Sequence, residues 1–153
     1  MKARATTRML ASVIGAVAAA ALEAGAHIIN DVTGLTGDPN MLGVARNSDA
    51  GLVVMHMQGT PRTMQQQPHY EDVVRDVRSF FLERLHDLEE AGIDPMRVAL
   101  DPGFGFGKTL EHNRALLRAL PTLRIKDRPL LVGVSRKSML GKWVGSSDFE
   151  DRN

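Results

Sequence analysis

The sequence predicts an α/β fold in which short strands alternate with helices around a parallel sheet. Four apolar runs, each followed by a polar loop or an amphipathic stretch, succeed one another along the 153 residues. The chain is 43% hydrophobic and 24% charged, which is the balance of a domain that buries a core. No low-complexity linker or charge block interrupts this order, so we expect a single domain.

The four predicted strands cover residues 26–32, 51–57, 97–101 and 129–134. Each is a short apolar run bounded by glycine, proline or polar residues, as expected of strands buried on both faces. Strand followed by helix, four times over, indicates that the strands run parallel.

Helical spacing of apolar residues is clearest after the second strand, where Val73, Val77, Phe81 and Leu85 recur on one face and Gly92 stands at the expected C′ position. The other helices are predicted at 40–47, at 112–120 and from residue 135 onward. We expect Asp38 to cap the first of these, Pro121 to stop the second and Ser135 to begin the third.

The N-terminal segment permits two interpretations. Lys2, Arg4 and Arg8 precede an apolar run over residues 9–22, which is roughly the layout of a secretory signal. The run is too short to span a bilayer. Because it leads through Gly25 directly into a predicted strand, we favour a helix of the domain.

Charge and cysteine content exclude several classes of function. The 19 Lys and Arg residues against 18 Asp and Glu residues give a net charge of +1, so we expect neither nucleic acid nor a membrane surface as a partner. The chain has no cysteine, which excludes disulfides, thiolate metal sites and cysteine nucleophiles. Together these features favour a cytoplasmic protein.

Two architectures fit the predicted order of elements, an open doubly wound sheet and a section of a (β/α)₈ TIM barrel. Polar residues stand at the C-terminal end of each predicted strand, among them Asn30, His56, Asp101 and Lys137. Barrel enzymes place their active sites at this end. We therefore predict the barrel, with about four consecutive βα units, because a complete barrel needs ~250 residues.

Asp101 ends the third predicted strand, and Pro102 stiffens the turn that follows it. A carboxylate fixed in a cleft can accept two parallel hydrogen bonds from a guanidine-like edge, such as that of a 2-aminopyrimidinone ring. A helix-capping or salt-bridging aspartate is the alternative.

The glycine-rich segment after Asp101 does not have the spacing of a phosphate-binding loop. A Walker A motif places four residues between its first glycine and the Gly-Lys pair, whereas three separate Gly103 from Gly107. The dinucleotide-binding pattern of glycines also fails. Alternation of glycine with Phe104 and Phe106 instead predicts a flexible backbone with two aromatic faces for a flat ring, or else a merely structural turn.

The segment from Ser135 to Ser138 brings two cations and a predicted helix start together after a strand, which favours an anion or an electron-rich atom nearby. Solvent-facing basic residues are the alternative. Asn30 could serve a heterocycle as donor and acceptor, or be a buried strand-end amide. Met55 could line a ring or pack in the core. His56 has no second ligand at suitable spacing, so we predict no metal site there.

Taken together, these motifs resemble the dihydropteroate synthase family over residues 16–143. The matching segments are residues 29–32, 55–59, 100–108, 112–113 and 135–138. The resemblance implies a transferase of folate biosynthesis. Such an enzyme joins 6-hydroxymethyl-7,8-dihydropterin diphosphate to 4-aminobenzoate, giving 7,8-dihydropteroate and diphosphate, and sulfonamides compete for the aminobenzoate position.

The resemblance also implies roles for individual residues. Lys137 and Asp101 would be the catalytic residues. The pterin would be bound by Asn30, Met55, Asp101, Gly133 and Lys137. Phe106 and Ser135 would contact 4-aminobenzoate, with Gly105 leaving room for the rings. In this family the diphosphate leaves first and the arylamine attacks a stabilised pterin cation, which needs no protein nucleophile.

Two segments follow from the extent of the resemblance, a non-matching stretch over residues 1–15 and a partial pterin-binding barrel over residues 16–153. The family's magnesium-binding asparagine and its diphosphate-binding residues are not among the matching segments. We therefore expect Mg²⁺ as a cofactor without a ligand in this chain, and a homodimer by resemblance alone.

The limited extent of the resemblance leads us to expect a truncated homologue or fragment that has no synthase activity by itself. An inactive or interaction-only partial barrel and a pterin-binding methyltransferase relative stay open as alternatives.

Overall fold

A computed structural model describes residues 14–135 and 137–145, and within them three parallel strands form one sheet in chain order. The strands are β1 (Ile28–Asp31), β2 (Gly51–Met55) and β3 (Val98–Asp101). The helices are α1 (14–23), α2 (Met41–Arg46), α3 (Val73–Glu90), α4 (Leu110–Arg118), α5 (Leu120–Leu123) and α6 (Ser138–Val144). Single 3₁₀ turns cover Pro95–Arg97 and Ile125–Asp127.

One face of the sheet carries the hydrophobic core. Leu52, Val54 and Leu100 alternate along the strands on this face and belong to the same buried cluster as the apolar residues of α3. Those α3 residues are Val73, Val77, Phe81, Leu85 and Leu88. Asp72 caps the start of this helix, because its carboxylate accepts hydrogen bonds from two backbone N–H groups of the first turn, and the predicted C′ glycine follows the end of the helix.

The opposite face of the sheet carries the polar residues predicted for the site. Because side chains alternate along a strand, Asn30, Met55 and Asp101 all lie on the side away from the core. Met55 and Asp101 are register partners on neighbouring strands, whereas Asn30 pairs with Val53, one layer lower. The fold therefore separates packing from candidate chemistry across one sheet.

The fourth predicted strand, residues 129–134, is reduced to a single parallel bridge between Leu130 and Leu100. The Leu100 N–H donates to Pro129 O, and the Leu131 N–H donates to Leu100 O. The next N–H that could continue this ladder would belong to Pro102, which has none. The prediction of a full strand was wrong for this reason.

Several predicted helix boundaries also differ from the structure. Helix α2 begins after Asn40, while Asp38 is buried and accepts hydrogen bonds from the backbone of Gly15 and Asn40. Pro121 lies in the first turn of α5 rather than after the end of a helix. Helix α6 begins at Ser138, not at Ser135.

The N-terminal basic residues Lys2, Arg4 and Arg8 lie outside the described residues, and residues 14–22 of the predicted apolar run lie in helix α1. Within the described part of the chain, no helix is both long enough and apolar enough to cross a bilayer.

Candidate functional site

Asp101 is the central acid of the candidate site, at the carboxyl end of β3. Its side chain is buried, and its Oδ1 accepts a hydrogen bond of 2.7 Å from the Gly103 N–H. Burial raises the pKa of Asp101, and the Gly103 N–H, Lys137 and Lys108 act in the opposite direction. The turn made by Pro102 thus fixes the direction of the carboxylate, as the sequence predicts.

The glycine-rich loop, residues 103–107, lies closely against the segment that follows β2. Gly103 and Gly107 have positive φ angles of 66° and 61°. A Cβ atom at Gly103 would lie 2.0 Å from His56 O, and one at Gly107 would lie 2.6 Å from Gln58 O. Only glycine permits both this conformation and this approach.

Side chains from several elements bind the backbone of the glycine-rich loop. Asn113 Oδ1 accepts from the Gly105 N–H at 2.9 Å, and Gln65 Nε2 donates to Gly105 O at 2.5 Å. Tyr70 OH donates to Gly107 O at 2.8 Å. Burial raises the pKa of Tyr70 to about 12, so its hydroxyl keeps the proton that it donates. The flexible loop predicted from the glycines is therefore held in place by its neighbours.

Lys108 lies beneath the same loop with only 4% of its surface exposed. Its Nζ is 3.1 Å from Gly103 O, 3.0 Å from Phe106 O, 3.2 Å from His56 O and 3.0 Å from His56 Nδ1. Burial lowers the pKa of Lys108 to about 7, with Asp101 opposing and Lys137 reinforcing the shift. The ammonium is surrounded by acceptors.

His56 is buried in the same cluster, and its ring packs edge-on against Phe80 with 5.0 Å between the ring centroids. Burial and the neighbouring Lys108 ammonium lower its pKa to about 3, so the imidazole is neutral near pH 7 and can accept a hydrogen bond at Nδ1. This agrees with the structural role that the sequence favoured.

The two phenylalanines of the loop have different environments. Phe104 is fully buried in the core, so the prediction of two aromatic faces was wrong for this residue. Phe106 is partly exposed, and Lys137 Nζ lies 4.7 Å from the centroid of its ring. One aromatic face therefore remains beside the site.

Lys137 brings a half-buried cation to the loop. Its ammonium donates to Phe104 O, and burial lowers its pKa while the Asp101 carboxylate raises it. A Cβ atom at Gly105 would lie 3.5 Å from Lys137 Cδ, and one at Gly133 would lie 3.9 Å from Lys137 Nζ. The two glycines thus leave room around this side chain.

The structure brings some of the predicted residues together and leaves others apart. Asp101, Phe106 and Lys137 surround the glycine-rich loop, and a Cβ atom on Gly103 would come within 3.3 Å of Met55 Cγ. Asn30 is exposed on β1, with β2 between it and Asp101. Ser135 is exposed two residues before Lys137. The roles predicted for these residues stay predictions.

A cavity of about 220 Å³ opens beside Met55, between the loops that follow β1 and β2. Its lining residues are Val32, Thr33, Thr36, Gly37, Met55, Met57, Gly59, Thr60, Pro61 and Phe80. The lining is largely apolar and includes three threonines. Of the predicted site residues, Met55 belongs to this lining.

Metal binding finds no support in the part of the chain that the structure describes. No group of three or more histidine, aspartate or glutamate side chains there could hold a metal ion. The Asp101 carboxylate faces lysine and backbone N–H groups, which do not form a magnesium ligand set.

Sequence reasoning missed the side chains that hold the loop, chiefly Lys108, Tyr70, Gln65 and Asn113. A signal for Lys108 was present. Three glycines precede it, and a glycine has no side chain of its own to shield its backbone carbonyl. Tyr70 and Gln65 are distant from the loop in sequence, so their contacts depend on the fold, whereas Asn113 lies on the helix that follows the loop.

Comparison with known proteins decides the family. A model of the family described as pterin binding enzyme matches residues 6–153. This chain belongs to the pterin-binding enzyme family. A dihydropteroate synthase from Neisseria meningitidis serogroup C is 49% identical over 129 residues, which are 84% of this chain and 46% of that protein. One from Escherichia coli strain K12 is 46% identical, covering 82% of this chain and 44% of its own length.

Solved structures of pterin-binding enzymes show the same fold. Yersinia pestis dihydropteroate synthase with a sulfonamide drug superposes with a TM-score of 0.85 at 42% identity, covering 90% of this chain and 50% of that one. The Xanthomonas albilineans enzyme with 7,8-dihydropteroate gives 0.81 at 41% identity, covering 90% and 51%. The predicted barrel fold class is confirmed. The chain spans about half the length of these relatives.

Proposed function

We propose that this chain carries part of the active site of a dihydropteroate synthase, which joins 6-hydroxymethyl-7,8-dihydropterin diphosphate to 4-aminobenzoate. The observation that carries the proposal is the placement of the Asp101 carboxylate, the Lys137 ammonium and the Phe106 ring around one loop at the carboxyl end of a parallel sheet. Similar structures with 4-aminobenzoic acid and with 6HMPPP support these substrates over those of a methyltransferase.

The pterin end of the proposed site is formed by Asp101 and Lys137 above Met55. A 2-aminopyrimidinone edge presents two N–H donors, which match the two oxygens of a carboxylate held by the Gly103 N–H. The Lys137 ammonium donates to an acceptor atom of the pterin and is already within reach of the loop beside Asp101. Asn30 meets the opposite edge of the ring from β1.

The aryl end of the proposed site is formed by Phe106 and Ser135. Ring stacking or edge contact with Phe106 aligns 4-aminobenzoate, since its ring is the one aromatic face that the loop leaves partly exposed. Its cation–π contact with Lys137 places this face next to the pterin end. The two substrates therefore meet over the glycine-rich loop.

The proposed reaction breaks the bond between the exocyclic pterin carbon and the diphosphate oxygen, and the diphosphate keeps the electron pair. The arylamine nitrogen then forms a bond to that carbon and loses a proton. Positive charge develops on the pterin in between, and the buried Asp101 carboxylate stabilises it through the guanidine-like edge. Position and charge suffice, so no protein nucleophile is required.

Mg²⁺, a homodimer and a cytoplasmic location complete the proposal by resemblance. No step above depends on them. The site residues described here lie within one chain, and the absence of cysteine agrees with a reducing compartment.

Calorimetry with 6-hydroxymethyl-7,8-dihydropterin tests the pterin assignment. Asp101→Asn removes the charge and replaces one acceptor by a donor, so binding is expected to weaken at least about tenfold. Asp127→Asn is the matched control, because Asp127 is exposed in a 3₁₀ turn. Equal affinities of the wild-type chain and Asp101→Asn would refute the assignment.

A further inference from the structure

We propose that Lys108 is a positioning residue whose ammonium fixes the glycine-rich loop so that Phe106 and Lys137 face Asp101. The effect on ligands rests on the function proposed above, but the effect on the loop does not. One side chain contacts backbone carbonyls of the loop and of the segment after β2 at the same time.

The contacts of Lys108 join two separate parts of the chain. Gly103 O and Phe106 O belong to the loop, while His56 O and Nδ1 belong to the residue that follows β2. An ammonium has three N–H donors, and here they are shared among four acceptors between 3.0 and 3.2 Å away. At 4% exposure the side chain has little access to water. Its hydrogen bonds are therefore made to the loop and to His56 rather than to solvent.

The neutral state of His56 is part of the same arrangement. A protonated imidazole would have a donor at Nδ1 and would repel the ammonium 3.0 Å away. As a neutral ring it accepts from Lys108 at Nδ1 while it packs in an edge-to-face pair with Phe80. The His56 ring thus adds a fourth acceptor to the three carbonyl oxygens around the lysine.

The fixed loop carries one of the three groups of the candidate site and binds a second. Phe106 supplies the aromatic face, and its own carbonyl accepts from Lys108. Phe104 O, which accepts from Lys137, lies between the two loop carbonyls that Lys108 binds. A displacement of the loop would therefore move the Phe106 ring and remove the acceptor of Lys137.

Amide hydrogen exchange tests the loop directly and needs no ligand. The N–H groups of Gly103, Gly105 and Phe106 donate to Asp101, Asn113 and Gly103, respectively. In Lys108→Met these three amides are expected to exchange at least about tenfold faster, while amides of β2 keep their rates. Lys126→Met is the matched control, because Lys126 is exposed. Unchanged loop exchange in Lys108→Met would overturn the proposal.

Chemical rescue separates the ammonium from the space that the side chain fills. Because the chain has no cysteine, Lys108→Cys can be alkylated at one position while unfolded and then refolded. Reaction with 2-bromoethylamine restores an ammonium at nearly the original length, whereas iodoacetamide leaves a neutral amide. Only the aminoethylated chain is expected to recover slow loop exchange. If Lys108→Met and Lys108→Cys do not fold, recovery of folding by aminoethylation alone has the same meaning. If aminoethylation restores neither slow exchange of the loop amides nor folding, the proposal is contradicted.

Ligand binding distinguishes this inference from the proposed function. Lys108→Met is expected to weaken 4-aminobenzoate binding about tenfold or more in the presence of the pterin, and aminoethylation of Lys108→Cys should restore it. If the wild-type chain binds neither compound, the proposed function fails, while the exchange experiment still decides the role of Lys108. If binding is present and unaffected by Lys108→Met, the positioning role is wrong.

Discussion

The two faces of the sheet are held by different kinds of interaction. On the core face, Leu52, Val54 and Leu100 pack with the apolar side of α3. On the opposite face, Met55 and Asp101 lie beside a loop whose backbone is bound by side chains of other segments of the chain. Buried apolar area stabilises the core face, whereas hydrogen bonds and charge hold the loop on the opposite face in place. Changes to the two faces should therefore affect different properties.

The largest loss of stability is expected on the core face. Phe81→Ala removes a fully buried ring and leaves a cavity, so the free energy of unfolding should fall by about 3–5 kcal/mol. Leu82→Ala, one residue further on the same helix and 44% exposed, should cost less than about 1.5 kcal/mol. Urea unfolding of both variants measures the difference. Similar losses would mean that α3 does not pack as described.

A second prediction concerns the close approach of the glycine-rich loop. Gly103→Ala places a methyl group 2.0 Å from His56 O at a positive φ, so it should cost at least about 2 kcal/mol and abolish pterin binding. Gly43→Ala in α2 meets no atom within 4 Å and should stabilise by about 0.5–1 kcal/mol. Thermal unfolding and calorimetry measure both effects. A tolerated Gly103→Ala would contradict the loop geometry.

The third prediction is a pH dependence caused by His56. The folded pKa of about 3 lies below the ordinary value of 6.5, so between these two values the unfolded chain binds the extra proton. The contribution of His56 to stability is therefore fully present above about pH 6.5 and is lost as the pH is lowered toward 3. Nuclear magnetic resonance of the His56 ring, together with urea unfolding at several pH values, measures this. A ring that titrates near its ordinary value would show that His56 is not buried beside Lys108.

The smallest effect is expected at β1 on the face of the site. Ile28 is 62% exposed, whereas its neighbour Ile29 is 6% exposed on the core face. Ile28→Ala should change the free energy of unfolding by less than about 0.5 kcal/mol, and Ile29→Ala should lower it by about 2–4 kcal/mol. Urea unfolding of this pair compares the two faces within one strand. Equal losses of stability in Ile28→Ala and Ile29→Ala would mean that the two faces of β1 do not differ in burial.

The parts of the fold that depend on periodicity could be predicted from the sequence. Helix α3 and its C′ residue Gly92 follow from apolar spacing, and the three paired strands follow from short apolar runs. The position of Asp101 at a strand end and the rejection of a phosphate loop required only counting along the chain.

The details that could not be predicted depend on backbone atoms and on how the loop turns. Every residue has the same backbone carbonyl, so the sequence does not show which carbonyl will accept a hydrogen bond. The acceptors of Lys108 are mostly carbonyl oxygens, and nothing in the residue names marks them. Burial of Phe104 and exposure of Phe106 depend on how the loop turns at its positive φ angles. The fourth strand is short because the backbone nitrogen of Pro102 is the next one that would face the chain after Leu130. Which nitrogen faces that chain depends on the register, which the sequence does not state.

Pro102 decides where the fourth segment stops pairing with β3. With no hydrogen on its nitrogen, it ends the ladder between β3 and the chain after Leu130, and no further backbone hydrogen bond joins the two in the part of the chain that the structure describes. The contact beyond this point is made by a side chain, because Lys137 donates to Phe104 O in the glycine-rich loop. One missing backbone hydrogen thus gives this junction to a lysine rather than to a strand ladder.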